Sequence, residues 1–342
     1  MSPSGRTGSA PALAPLAPVL AAGGSEMLVQ LERLERRLRR AAAGHGDVVG
    51  HHAASTLAAG GKRLRPLLVL LCGGRSGPGA GADDDRLLHA ATAVELLHMA
   101  TLVHDDVLDR ATLRRGRPTV VESGGREAAV ATGDLLLARA FAELVLSGSP
   151  EAVRALSSAS TGLVRGELMQ RADAWSDSVT PARYLERCEL KTARLFEAAC
   201  RLGALLGEPG PERADGLGAF GACIGVAFQL LDDVLDIAGP TERTGKPRGA
   251  DLLDGTITLP LILARRSDAS LAALDMRTAV MTPAQATELC DRIAASGALE
   301  QARRRALDYV EAAKGSLREL GLSRDRVTAL ELVADGVVER YS

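Results

Sequence analysis

Two runs of the form DDxxD carry the sharpest chemistry in this chain: Asp105, Asp106 and Asp109, and then Asp232, Asp233 and Asp236. Both sit in apolar, helix-compatible sequence, TLVHDDVLD and FQLLDDVLD. On a helix, residues four apart share a face, so Asp105 projects with Asp109 and Asp232 with Asp236. Three like charges on a largely apolar helix repel one another and lose hydration on burial, which calls for a compensating cation. Magnesium suits the task, since it takes one or two carboxylates and keeps its other positions for water and phosphate oxygens. A single run of this kind is most simply a solvated acidic surface or a helix cap. Asp83, Asp84 and Asp85 illustrate that case, following a glycine-rich loop without apolar flanks. Two matching runs reverse the preference, and all six aspartates are candidate metal ligands.

Polar neighbours extend the pattern. His98 lies two turns before Asp105 on nearly the same face, and Gln229 shares a face with Asp232 and Asp236. Cations fall where a diphosphate would need them: Lys62, Arg63 and Arg65 in GGKRLRP, Arg114 and Arg115 after the first run, Lys191 in KTARLF, and Lys246 in TGKPRGAD. Arginine forks bind phosphate oxygens bidentately, while lysine acts as a point charge.

These residues need helices to hold them, and almost every segment carries apolar residues at helical spacing. Leu28, Leu31, Leu34 and Leu38 make one stripe, and a second helix follows Arg65 with Pro66 in its first turn. The glycine-rich stretch 73–81 is a loop. A long apolar helix then runs from Leu87 to about Asp109, broken by RRGRP at 114–118. Further helices are expected over 127–146, 150–171, 181–206, 214–237 and 256–266, with a polar loop at 239–255. Three more follow, bounded by Pro283, Gly297 and Gly321. The fold class is all-α, with one domain over 25–342 and a disordered tail over 1–24.

Composition sets the outer limits. Hydrophobic residues are 46% and charged residues 25%, enough apolar content for a sizeable core. A formal net charge of -2 gives no basic field that would draw nucleic acid. The five cysteines form no CxxC pair, and their odd number argues for a reducing, cytoplasmic setting over a disulfide framework. No run approaches 18 consecutive apolar residues, so no membrane span is expected.

The same residues resemble a known family, the trans-isoprenyl diphosphate synthases or polyprenyl synthetases. The matching blocks are GGKRLRP (60–66), ELLHMATLVHDDVLDRATLRRGRPT (95–119), ATGDLLLARAF (131–141), GELMQ (166–170), KTARLFEAA (191–199), GVAFQLLDDVLD (225–236) and GKPRGADL (245–252). They stand in the family's order, whereas the C-terminal part is similar only in being helical. The resemblance implies an antiparallel bundle around a central cavity, with the two DDxxD helices facing across its mouth, and a homodimer. It implies that Asp105, Asp106, Asp109, Asp232, Asp233 and Asp236 hold magnesium, three ions with bound diphosphate. Arg114, Lys191, Thr192, Gln229 and Lys246 would contact the allylic diphosphate or its metals, and Lys62, Arg65, His98 and Arg115 would hold isopentenyl diphosphate. Arg114 and Lys191 join the aspartates as catalytic groups. One departure stands out: Thr256 occupies a place where the family often has Lys.

The implied reaction is head-to-tail condensation of isopentenyl diphosphate with an allylic diphosphate. Metal and cations stabilise the departing diphosphate as the carbon–oxygen bond ionises, in a site kept dry. Short-chain members carry a bulky aromatic four or five residues before the first Asp. Here those positions are Thr101 and Ala100, with Leu97 one turn deeper, which favours a medium- or long-chain product. Phe141 is a candidate for a deeper floor. The alternatives are a geranylgeranyl or other short-chain synthase, a terpene cyclase and a non-catalytic partner subunit. A cyclase steers its cation with aromatic walls, and one Trp, three Tyr and four Phe are few for that. A tuning subunit normally lacks one of the two aspartate runs.

Overall fold

A computed structural model describes residues 17–23, 25–43, 46–74, 81–207, 210–239 and 247–339. Among these described residues the chain is all-α apart from one short hairpin. The helices are α1 (Ala17–Gly23), α2 (Ser25–Ala42), α3 (Asp47–Ala58), α4 (Leu64–Gly73) and α5 (Gly81–Asp109). Strands β1 (Leu113–Arg114) and β2 (Arg117–Pro118) follow, then α6 (Val120–Val145), α7 (Pro150–Asp173) and α8 (Pro181–Cys188). A π-helical turn, Glu189–Ala193, leads into α9 (Arg194–Leu206) and α10 (Pro211–Ala238). Three short helices surround one longer one: α11 (Ala250–Leu253), α12 (Leu259–Ser267), α13 (Ala269–Ala272) and α14 (Met276–Ala279). The chain closes with α15 (Pro283–Ala295), α16 (Ala298–Leu317) and α17 (Arg324–Glu339).

The N-terminal segment and the RRGRP break depart from the sequence expectation. Residues 17–23, expected in a disordered tail, are helical, with Pro18 in the first turn and Val19 and Leu20 buried; residues 1–16 lie outside the described residues. The RRGRP break is an ordered antiparallel hairpin, Leu113 opposite Pro118 and Arg114 opposite Arg117. Its two central residues, Arg115 (φ 53°) and Gly116 (φ 72°), both adopt the positive φ that a tight, twist-matched hairpin turn demands. Most of the expected 73–81 loop also falls outside the described residues.

The described residues divide into two compact units. The first comprises the described residues within 1–153, 202–210 and 321–336; the second those within 154–201, 211–320 and 337–342. In the first unit α5 is the spine, burying Ala90, Ala93, Val94, Leu96, Leu97, Ala100 and Val103. Helix α6 runs back along it, placing Gly133 against His104 and Glu143 against His89. Arg37 of α2 donates through Nε to Glu143 Oε2 at 2.9 Å, so a partly buried ionic cluster ties three helices. Arg326 donates to the carbonyls of Leu71 and Cys72 at the end of α4, where the Leu71 carbonyl also accepts from the Gly74 amide.

In the second unit α10 packs along the π turn, α9 and α16. A Cβ at Gly225 would lie 2.5 Å from Ala193 Cα, and one at Gly221 would lie 2.5 Å from the Phe196 carbonyl oxygen. On the other side of that segment, a Cβ at Gly166 of α7 would stand 2.5 Å from Lys191 N. The π turn is therefore held between backbones that only glycine lets approach so closely. Helical stretches at Asp85–Asp109 and Pro211–Ala238 are long and apolar enough to span a bilayer, yet 78% and 61% of those windows is buried inside the protein. They are core helices, and each carries one DDxxD run.

Candidate active site

The first acidic run ends α5. Asp105 is half-buried and Asp109 exposed, on one helical face as their spacing requires. Asp106, a third of a turn away, is 4% exposed. Its Oδ1 accepts from Arg114 Nε at 2.8 Å and Nη2 at 2.7 Å. The hairpin thus folds back onto the helix that precedes it. Arg115, at the hairpin tip, donates to the Gly60 carbonyl and joins the tip to the GGKRLRP turn. These contacts bring Arg114, Arg115 and the 60–65 turn to the helix that carries His98.

Within that turn Lys62 is exposed and Arg65 half-buried. Arg63, grouped with them on sequence as a diphosphate-facing cation, turns inward instead. Its backbone is left-handed, with φ 50°, and its guanidinium is held at 2.6 Å from both Glu35 and Glu95. Burial penalises its charge, but the two carboxylates outweigh that and raise its pKa. Arg63 is therefore an anchor between the turn, α2 and α5. One turn beyond Glu95, burial holds His98 well below the ordinary imidazole pKa, and the Arg65, Arg115, Arg114 and Arg63 charges push the same way. His98 is a neutral group among cations, able to accept a hydrogen bond as well as donate one.

The second run lies on α10 and follows the same geometry. Asp232 is exposed and Asp236 half-buried, while Asp233 between them is 3% exposed. Both Asp233 oxygens are engaged: Oδ2 accepts from the Tyr184 hydroxyl at 2.6 Å and Oδ1 from Gln229 Nε2 at 2.7 Å. Gln229 Oε1 in turn accepts from the Thr192 hydroxyl at 2.7 Å. Burial, with Asp251 nearby, pushes Asp233 up to about 7 against the opposing pull of these two donors. Burial and Asp233 likewise keep the Tyr184 phenol protonated, well above its usual pKa. Asp236 accepts from the Asp251 amide at 3.3 Å, which ties the 249–251 turn to the end of α10.

Lys191 sits on the π turn beside Thr192 and pairs with Glu167 of α7. Burial alone would raise the Glu167 pKa, but Lys191 and then Arg171 lower it overall. A π bulge adds one residue to a helical turn and re-aims what it carries, a device common at functional sites. Here it places Lys191 toward Glu167 and Thr192 toward Gln229. Thr256 is half-buried, and its amide donates to the Asp251 carbonyl at 2.8 Å. The next carbonyl, of Ile257, accepts from buried Arg187 at 2.5 Å. Lys246 lies outside the described residues.

Of the residues proposed to set product length, Leu97 and Ala100 are fully buried on α5. Thr101 is half-buried and donates to the His98 carbonyl at 2.8 Å. Phe141 is half-buried on α6. Sequence reasoning passed over Tyr184, Glu167, Asp251 and Arg187. Glu167 stood inside a recognised block, GELMQ, but a lone Glu there gave no sign of its partner. Tyr184 carried no local signal at all.

Each acidic helix presents an outer carboxylate pair on one face and turns its middle aspartate inward onto a donor. The donors are all oxygen, which fits a hard cation such as magnesium. Among the described residues no three His, Cys, Asp or Glu side chains converge to hold a metal by themselves. Fold and clusters together describe an all-α protein with two oxygen-rich acidic runs, each on a long core helix.

Comparison with known proteins narrows that description. The polyprenyl synthetase family model matches residues 48–293. Heptaprenyl diphosphate synthase component 2 of Geobacillus stearothermophilus is 40% identical over 305 residues, covering 85% of this chain and 94% of the relative. The crystal structure of heptaprenyl diphosphate synthase from Staphylococcus aureus superposes with a TM-score of 0.85 at 30% identity, covering 92% of this chain and 99% of that one. A polyprenyl synthase from Caulobacter crescentus CB15, complexed with calcium and isoprenyl diphosphate, gives 0.85 at 35% identity over 98% and 99% of the two chains. The chain belongs to the polyprenyl synthetase family and is a prenyltransferase with the all-α fold of isoprenyl diphosphate synthases.

Proposed function

We propose that this chain condenses isopentenyl diphosphate with an allylic diphosphate, head to tail and in trans geometry, to make a medium- or long-chain polyprenyl diphosphate. The observation that carries the reading is the repeated disposition of the two acidic runs, with outer carboxylates on one face and the middle one locked inward. Asp105, Asp109, Asp232 and Asp236 would hold magnesium, three ions when diphosphate is bound. The ions would supply charge stabilisation to the diphosphate oxygens as the allylic bond ionises.

The chain's own residues do the rest. Lys191 and Arg114 bring positive charge to the leaving diphosphate, with Lys246 completing the set, and Thr192 and Gln229 orient it. Lys62, Arg65 and Arg115 bind isopentenyl diphosphate through its phosphate oxygens, and neutral His98 accepts or donates beside them. The isopentenyl double bond attacks the allylic cation, and the proton then lost passes to the released diphosphate. Exclusion of water by the apolar walls of α5 protects the cation.

The absence of aromatic residues over 87–103, with Ala93, Leu97 and Ala100 buried, favours a long product over a short one. The heptaprenyl relatives favour it too. A homodimer is supported by apolar side chains left exposed on α6 and at its C-cap, Val130, Val145 and Leu146. A second reading, activity only with a partner subunit, is favoured by the name component 2 of one relative. Five cysteines outside any disulfide fit a cytoplasmic setting, from which the product partitions to membrane.

The test is incubation of the purified chain with magnesium, isopentenyl diphosphate and allylic primers of several lengths, followed by mass analysis of the dephosphorylated products. Asp105→Ala and Asp232→Ala should each cut turnover by orders of magnitude without unfolding the chain. Near-normal rates in both would remove the metal assignment, and activity appearing only on addition of a second subunit would select the second reading.

A further inference from the structure

Four side chains in the second unit form an unbroken hydrogen-bonded row: Tyr184, Asp233, Gln229 and Thr192. Its polarity is fixed from one end. Asp233 accepts at both oxygens, from the Tyr184 hydroxyl and from Gln229 Nε2, so Gln229 turns its NH2 toward Asp233 and its carbonyl toward Thr192. The Thr192 hydroxyl must then donate to Gln229, leaving its oxygen lone pairs for whatever lies on the other side. Tyr184 holds Asp233 from behind at 2.6 Å, and the cation of buried Arg187 lies 5.3 Å from the Tyr184 ring centre. With both oxygens engaged inside the protein, Asp233 has a different role from its neighbours Asp232 and Asp236.

We propose that Asp233 is a positioning residue and not a metal ligand: with Tyr184 behind it, it sets the donor–acceptor polarity of Gln229 and so the orientation of the Thr192 hydroxyl at the reacting diphosphate. This rests on the prenyltransferase reading above and deepens it. An asparagine at 233 presents one acceptor and one donor. Facing Tyr184 with its carbonyl, it offers NH2 to Gln229, whose amide must rotate. Thr192 then receives a donor and its own proton swings outward. A change two hydrogen bonds away is thereby delivered to Thr192 without a change in its position.

The test is a double-mutant cycle of Asp233→Asn and Thr192→Ala, with Thr192→Ser and Asp232→Asn as references. For each variant, kcat, both substrate KM values, the magnesium concentration for half-maximal rate, magnesium–pyrophosphate binding by calorimetry, and thermal melting are measured. Asp233→Asn should lower kcat about tenfold, with magnesium dependence and magnesium–pyrophosphate affinity within about twofold of the wild-type protein. Thr192→Ser should keep most of the rate. The double variant should be no slower than Thr192→Ala alone, within about twofold. Losses that multiply, or a magnesium requirement in Asp233→Asn raised as in Asp232→Asn, would overturn the proposal. Should Asp233→Asn fail to fold, Tyr184→Phe makes the same test: its kcat loss must vanish in the Thr192→Ala background, and an equal loss in both backgrounds or none in either refutes the relay. If Asp232→Asn itself turned over normally and bound magnesium–pyrophosphate as before, the functional reading would fall first.

Discussion

Gly166→Ala offers a clean test of how Lys191 and Thr192 are placed. The added Cβ would stand 2.5 Å from Lys191 N, 2.8 Å from its Cα and 2.9 Å from its Cβ. Ordinary contact between such atoms begins near 3.5 Å, so α7 and the π turn must part by roughly 1 Å. Two of the three contacts are backbone, and no side-chain rotation relieves them. Overpacking of this kind costs about 1–3 kcal/mol, and each kcal/mol lowers the melting temperature of a domain this large by about 2–4 °C. The larger effect falls on catalysis, because Lys191 and Thr192 ride on the segment that moves. A displacement of about 1 Å at a positioning group costs on the order of 100-fold in rate. Steady-state kinetics beside thermal melting separate the two effects. Gly315→Ala is the control: it sits within α16 with nothing within 4 Å of the new methyl, and should be neutral or stabilise by up to about 1 kcal/mol. Wild-type melting and turnover in Gly166→Ala would refute the close-packed π turn.

Other perturbations address separate parts of the structure. Arg63→Ala leaves buried Glu95 and half-buried Glu35 without their shared cation, and should cost about 3–5 kcal/mol in denaturant unfolding. It should also raise the isopentenyl diphosphate KM more than the allylic one. The Glu167 pKa is lowered in the folded chain, so its stabilising contribution is present above the ordinary Glu range and is lost as pH falls through it. The melting-temperature gap between wild type and Glu167→Gln should therefore be open at pH 7 and close as pH drops below about 4.5; a gap independent of pH would count against the Lys191 pairing. Ala100→Phe, placing a ring at a fully buried point five residues before Asp105, should shorten the product, read by mass; an unchanged product spectrum would reject that growth path.

Much of the chain's identity was already present in residue order. Apolar residues at helical spacing located α7 and α10, and the breakers Pro283, Gly297 and Gly321 bounded α15 and α16, to within a few residues. The spacing of each DDxxD run placed its outer pair on one face, since that geometry is local to a helix. Tertiary structure decided what depends on partners distant in sequence. Asp106 and Asp233 look like their neighbours in one dimension, yet each turns inward because Arg114 in one case, and Tyr184 and Gln229 in the other, are there to receive it. Arg63 reads as one more surface cation until a left-handed backbone aims it at Glu35 and Glu95, 28 and 32 residues away along the chain. The hairpin at 113–118 and the π turn at 189–193 escaped the helical pattern for a related reason. Each is a short irregularity stabilised by what packs against it, Gly60 for the first and Gly166 with Gly225 for the second, and not by the propensity of its own residues. A sequence states which side chains are available. Which of them face the substrate, and which hold the others in place, is settled by contacts that only the folded chain brings about.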